Sequence, residues 1–174
     1  MLAWRLTISA ILIPALIGLF YLDAVSGKKA FWLFGIALLL VIRSVWEMKQ
    51  LLNGRFPNVS YPLMLGCSLA VFVSGWVPHW FKNSEINGDP LGGSLGWMGI
   101  TFAICFLLLF THRAFRYREP GTNLQTLGAE LLTVTYVGFL MGLLSQLRFI
   151  AGTDNGYLVL GSLLIAVKMG DVGG

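Results

Sequence analysis

Lys168 and Asp171 close an apolar run, YLVLGSLLIAV, that follows Gly156 in a chain of 174 residues. An ionisable pair at membrane depth is costly in hydrocarbon, so it marks a functional-site hypothesis by default. On a helix the two positions share a face and can serve one water-filled cavity. The carboxylate of Asp171 is a hard oxygen donor suited to a divalent cation. Lys168 either neutralises a bound anion or pairs with Asp171. Gly173 and Gly174 follow at once and would let a phosphate approach the backbone closely. The plainer alternative for the pair is an interfacial salt bridge with no ligand.

The elements that must carry these residues are apolar helices. Hydrophobic residues make up 56% of the chain and charged residues 11%, against about 25% charged in soluble domains. The composition predicts an all-α, polytopic membrane protein forming a single membrane-embedded domain. Apolar runs at about 4–22, 30–47, 61–81, 95–111, 127–147 and 156–170 predict six spans, each near the length that crosses a bilayer. The first run, with Arg5 before it and Ala24-Val25-Ser26 after it, also has the outline of a secretory signal. Five further apolar runs make a retained first helix the simpler reading.

Basic residues set the expected orientation. Arg5, Arg43, Lys49, Arg55, Arg113, Arg116 and Arg118 fall on the side of the N-terminus, and Lys28, Lys29, Lys82 and Arg148 fall opposite. The excess predicts a cytoplasmic N-terminus in the inner membrane, with Asp171 returning to the cytoplasmic face. The net charge of +4 is dispersed between apolar runs, with no stripe able to track a phosphate backbone, so nucleic acid is not an expected partner. In HRAFRYREPGTNLQT, residues 112–126, arginines alternate with Phe115 and Tyr117. That composition suits the anionic headgroup zone, where Arg116 could hold an acidic lipid; it equally suits an ordinary positive-inside loop.

The remaining polar residues give weaker signals. Glu47 follows Arg43 by four, which predicts a local ion pair. Glu130 has no opposite charge within helical reach and reads as either an interfacial or a cavity-lining acid. Cys67 and Cys105 are too isolated for a disulfide framework or a zinc site, and read as lipid-facing or packing residues. His79 and His112 are isolated too and read as interfacial. Gly138 and Gly142 form a G-x-x-x-G that admits a close neighbouring helix.

Four segments together resemble the phosphatidate cytidylyltransferase family. WRLTISAILIPALIGL resembles its opening helix, SVWEMKQLL its Trp-Glu segment, and TVTYVGFLMGLLSQLR its Tyr-Val-Gly helix ending in Leu-Arg. KMGDVGG resembles the start of the family's Asp-x-Gly-Ala-Tyr segment, with Gly174 where Ala is usual. The resemblance implies transfer of a cytidylyl group from CTP to phosphatidate, giving CDP-diacylglycerol and pyrophosphate. It implies Asp171 as a ligand of Mg2+, and Lys168, Gly173 and Gly174 as residues beside the substrate phosphates. The family's later Ser-Pro-Lys-Lys-Thr-type and Asp-rich segments would follow Gly174, so residues 1–174 alone are expected to be inactive. A homodimer is left open. Two other classes stay in play: a transporter or channel with a polar path at Lys168 and Asp171, and a CTP-dependent lipid or polyprenol kinase.

Overall fold

The computed structural model describes residues 14, 17–23, 25, 30–56, 58–81, 93–117, 122–150 and 152–173. Helix α1 covers residues 17–23. It is followed by α2 (Phe31–Asn53), α3 (Tyr61–Ser74), α4 (Val77–Phe81), α5 (Ser94–Phe115) and α6 (Thr122–Thr133). A π-helical segment, Val134–Phe139, joins α6 to α7 (Leu140–Ile150), and α8 runs Gly152–Gly173. No strand occurs among the described residues. Among the described residues three stretches are long and apolar enough to cross a membrane: Phe31–Asn53, Ser94–Phe115 and Asn123–Phe149.

The expected boundaries shift in several places. Most of the 4–22 run lies outside the described residues. The expected span 61–81 is two helices. Pro78 has no N–H to offer the Ser74 carbonyl, and its ring would collide with it, so α3 stops at Ser74. The Trp76 N–H then turns back to the Val73 carbonyl at 2.9 Å before α4 begins. At the other end of the expected 95–111 span, α5 continues to Phe115. His112 and Arg113 therefore belong to a helix, where a headgroup loop was expected. Tyr61–Ser74 and Gly156–Val167 are apolar but short.

The chain divides into two compact units, one of Met1–Ile36 with Leu144–Gly174, the other of Ala37–Leu143. In the second unit α3 buries Met64, Cys67, Ser68, Val71 and Phe72, a stripe at helical spacing. On α5 the buried positions are Met98, Cys105, Leu109 and Arg113. The rest of α5 is also apolar yet turned outward, including Leu95, Ile104, Leu107 and Phe110. A helix apolar all round with one buried stripe is what lipid as solvent requires. Cys67 and Cys105 lie in the core with Val71, Leu109 and Val134, so both are packing residues and not lipid-facing. The Cys105 thiol reaches the Cys67 carbonyl at 3.8 Å.

Lipid tails are as apolar as leucine, so helices in a bilayer are held by close packing and polar contacts. The G-x-x-x-G supplies the first. A Cβ on Gly138 would stand 2.9 Å from the Ser68 Cα, and one on Gly142 would overlap the end of Met98. The π-helical segment thus approaches α3 backbone to backbone. In the first unit a Cβ on Gly156 would overlap the Arg148 carbonyl, which lets the start of α8 turn tightly against the end of α7. Phe20 of α1 meets Tyr157 of α8 with ring centroids 5.6 Å apart.

Candidate functional site

The sequence-assigned residues fall in two places. Lys168, Asp171 and Gly173 lie in the last turns of α8, and the continuous helix keeps positions 168 and 171 three residues apart on one side of its axis. The side chains of Lys168 and Asp171, and Gly174 as a whole, lie outside what is described. Arg116 stands at the C-terminal cap of α5, exposed, its N–H turned to the Ala114 carbonyl.

Every acid with a described side chain is already engaged. Glu47 pairs with Arg43 at 3.0 Å across one exposed helical turn. Glu130 pairs with Arg113, and Asp23 accepts from backbone N–H groups and a tyrosine. Among the described residues no three His, Cys, Asp or Glu converge as a metal site. The donor chemistry of Asp171 still suits magnesium, which takes one or two carboxylates and completes its shell with water and substrate phosphates.

Arg113 and Glu130 form a buried ion pair that sequence spacing did not reveal. The Arg113 Nε donates to Glu130 Oε2 at 2.9 Å, and Nη2 donates to both Glu130 Oε1 and the Asn58 carbonyl, the latter at 2.7 Å. The Ser60 N–H adds a second donor to Oε1 at 2.7 Å. The side chains are 6% and 0% exposed. This fork-on-carboxylate geometry satisfies most polar atoms of both groups. Glu130 is therefore a buried partner of Arg113, and the two cavities lined by His112 and by Tyr117 do not include it. Its signal was present: Glu130 and Arg113 each fall in register with the buried stripe of their own helix, Thr126, Ala129, Thr133 and Val134 in one case and Cys105 and Leu109 in the other.

Beside that pair lies a cavity of about 600 Å³ lined by Lys49, Ser60, Tyr61, Pro62, His112 and Arg116, among others. The end of α2 supplies Lys49, the end of α5 supplies His112 and Arg116, and the start of α3 supplies the rest. The Lys49 ammonium sits 5.0 Å from the Tyr61 ring centroid, a cation–π contact. The His112 Nδ1 is buried without a hydrogen-bond partner. None of the three basic side chains has a carboxylate partner among the described residues.

The first unit holds another buried polar group. Asp23 is fully buried; its Oδ1 accepts from the N–H groups of Trp32 at 3.1 Å and Leu33 at 3.4 Å, and its Oδ2 from the Tyr157 hydroxyl at 2.7 Å. These N–H groups belong to the first turn of α2, so Asp23 caps that helix from outside it. Arg148, 3% exposed, lays its guanidinium over the Tyr157 ring at 3.6 Å. No family model, curated protein or solved structure matches the chain.

Proposed function

We propose that the chain is membrane-embedded sequence of a phosphatidate cytidylyltransferase, crossing the inner membrane six times with residue 1 on the cytoplasmic side. The observation that carries this reading is the end of α8, an apolar helix that takes up Lys168 and Asp171 three residues apart and runs on to Gly173. The order of the four resembling segments supports it. In the proposed reaction a phosphate oxygen of phosphatidate attacks the α-phosphorus of CTP, and pyrophosphate leaves with the electrons of the broken P–O bond. Magnesium at Asp171 would supply charge neutralisation across the phosphates. Lys168 offsets further negative charge, and Gly173 and Gly174 leave room for a phosphate beside the backbone. Such a transfer depends on positioning and electrostatics more than on covalent chemistry by the protein.

The test is CTP-dependent CDP-diacylglycerol formation by membranes carrying the protein with its reading frame continued past Gly174. Asp171→Asn keeps size and polarity and is expected to lower turnover at least about a hundredfold with membrane insertion intact. Purified residues 1–174 are expected to form no product. Near wild-type activity of Asp171→Asn across a magnesium titration overturns the metal-ligand role. Orientation has its own test: a cysteine introduced at Asn87 should react with an impermeant reagent in intact cells, and one at Asn123 should be protected. The reverse pattern would move Asp171 away from cytosolic CTP.

A further inference from the structure

We propose that the cleft between the end of α5 and the start of α6 binds a membrane-dissolved quinone, a neutral carbonyl-bearing ring on an apolar tail, with Arg113 donating to one carbonyl. The inference goes beyond the cytidylyl-transfer reading and does not rest on it. Three observations converge on it.

The first is a donor left over from the buried ion pair. Arg113 is 5% exposed, and its Nε and Nη2 are taken up by Glu130 and the Asn58 carbonyl. Its third nitrogen, Nη1, makes no hydrogen bond among the described residues and is nevertheless not sealed from the surface. Arg113 lines the cleft on the α6 side and takes no part in the larger cavity beside Lys49. The Nη1 donors therefore face this cleft. A guanidinium has donors and no acceptor, so whatever completes it must present an acceptor oxygen.

The second is the charge of that donor, which is already spent. Glu130 is wholly buried and bonded to the same guanidinium, so the pair is neutral as a unit. An anion in the cleft would have to share Arg113 with Glu130 and would be repelled by that carboxylate at short range, where charges are poorly screened. A neutral carbonyl oxygen accepts from Nη1 without that penalty.

The third is the shape and the access. The cleft is about 370 Å³ and its walls are Phe110, Ala114, Leu124 and Leu127, with Tyr117 and Asn123 adding polar groups. That volume falls in the range of about 300–1,000 Å³ typical of sites for small molecules, which are mostly apolar with a few placed polar groups. Phe110 and Leu124 are more than half exposed, on a face of α5 and α6 that lipid solvates, so a ligand can arrive from the bilayer. Two aromatic side chains, Phe110 and Tyr117, offer ring faces to a flat ring, and the Asn123 amide offers a second donor. A ring with two carbonyls and an apolar tail uses all of these features. A simple acyl chain would leave the Arg113 donors unmet.

The experiment uses the whole chain in detergent micelles with a decyl-substituted azidobenzoquinone, photolysed and mapped by mass spectrometry. Labelling is expected to saturate and to fall on residues 110–127. Unlabelled decylbenzoquinone should compete, and decylbenzene, which lacks the carbonyls, should need about tenfold more for the same effect, as loss of a hydrogen bond to a charged donor implies. Oleate should compete no better than decylbenzene. Ala114→Phe fills the cleft from an exposed position and should abolish saturable labelling, whereas Leu107→Phe, outward-facing on the same helix and outside the cleft, should leave it unchanged. Leu124→Trp is the second filling variant and keeps the test if Ala114→Phe does not fold. In the joint variant Arg113→Met with Glu130→Leu the donor is gone, and decylbenzoquinone and decylbenzene should compete alike. The proposal is overturned if labelling spreads over the helices without saturating, if the filling variants label as the wild type does, or if decylbenzene or oleate competes as well as the quinone. Equal competition by methyl oleate also overturns it, assigning the cleft to ester-bearing lipids. Because no turnover is read, failure here and failure of the transferase assignment are separate results.

Discussion

Arg113 and Glu130 meet as charge against charge, whereas Asp23 meets mainly dipoles: two backbone N–H groups at the start of α2 and a phenol. Both arrangements bury a carboxylate completely. In the first, the counter-charge is itself buried and depends on its partner, so each group is costly without the other. In the second, the carboxylate serves as an acceptor for orphan donors of a helix terminus, a task that an uncharged oxygen can perform in part. Arg148 differs again. It rests on the face of Tyr157, with its Nε unpaired and no carboxylate in ion-pairing reach among the described residues. Equal burial therefore does not mean equal dependence on charge.

The same isosteric change at the two carboxylates should separate them. Glu130→Gln leaves the Arg113 guanidinium buried without a counter-charge and is expected to cost about 3–5 kcal/mol, read as unfolding in detergent by circular dichroism. Joint replacement, Arg113→Met with Glu130→Leu, should recover at least half of that loss. Full recovery is not expected, because the Ser60 N–H and Asn58 carbonyl lose their partners. A double variant as unstable as the single would show that the hydrogen-bonded frame, not the pairing of charges, dominates. Asp23→Asn keeps an oxygen for the Trp32 and Leu33 N–H groups and should cost only about 0.5–1 kcal/mol. Tyr157→Phe, which removes one donor and keeps the ring under Arg148, should cost about 1 kcal/mol. An Asp23→Asn penalty equal to that of Glu130→Gln would make Asp23 an ion-pair member and erase the contrast. The smallest effect belongs to Arg43→Ala. Its pair with Glu47 is more than half exposed on both sides, and its loss should change stability by about 0.5 kcal/mol or less.

Helix was legible in the sequence because composition and run length report local and solvent preferences. The apolar stretches around 30–47, 95–111 and 127–147 are long enough that only a helix satisfies their backbone in lipid. Each contains or overlaps a helix of the structure. The four-residue spacing of Arg43 and Glu47 was equally readable, since one helical turn contains the whole interaction. The break after Ser74 was readable in principle from Pro78, but the apolar run continues across it and masks the stop.

Long-range partners were another matter. Arg113 and Glu130 are 17 residues apart, Tyr157 and Asp23 are 134 apart, and no periodicity connects either pair. Read alone, Arg113 was one of several topogenic arginines, and Asp23 carried no signal of a partner. Helix register decided otherwise. It turned Arg113 inward and left Arg116, three residues on, exposed at the rim of a cavity with Lys49 and His112. The sequence by itself determined an apolar, helical, membrane-compatible chain, because those properties are sums over neighbouring residues. Which charges are buried, which are paired and which share a cavity was decided only by the tertiary structure, because Coulomb and hydrogen-bond energies depend on separations in space that chain spacing does not specify.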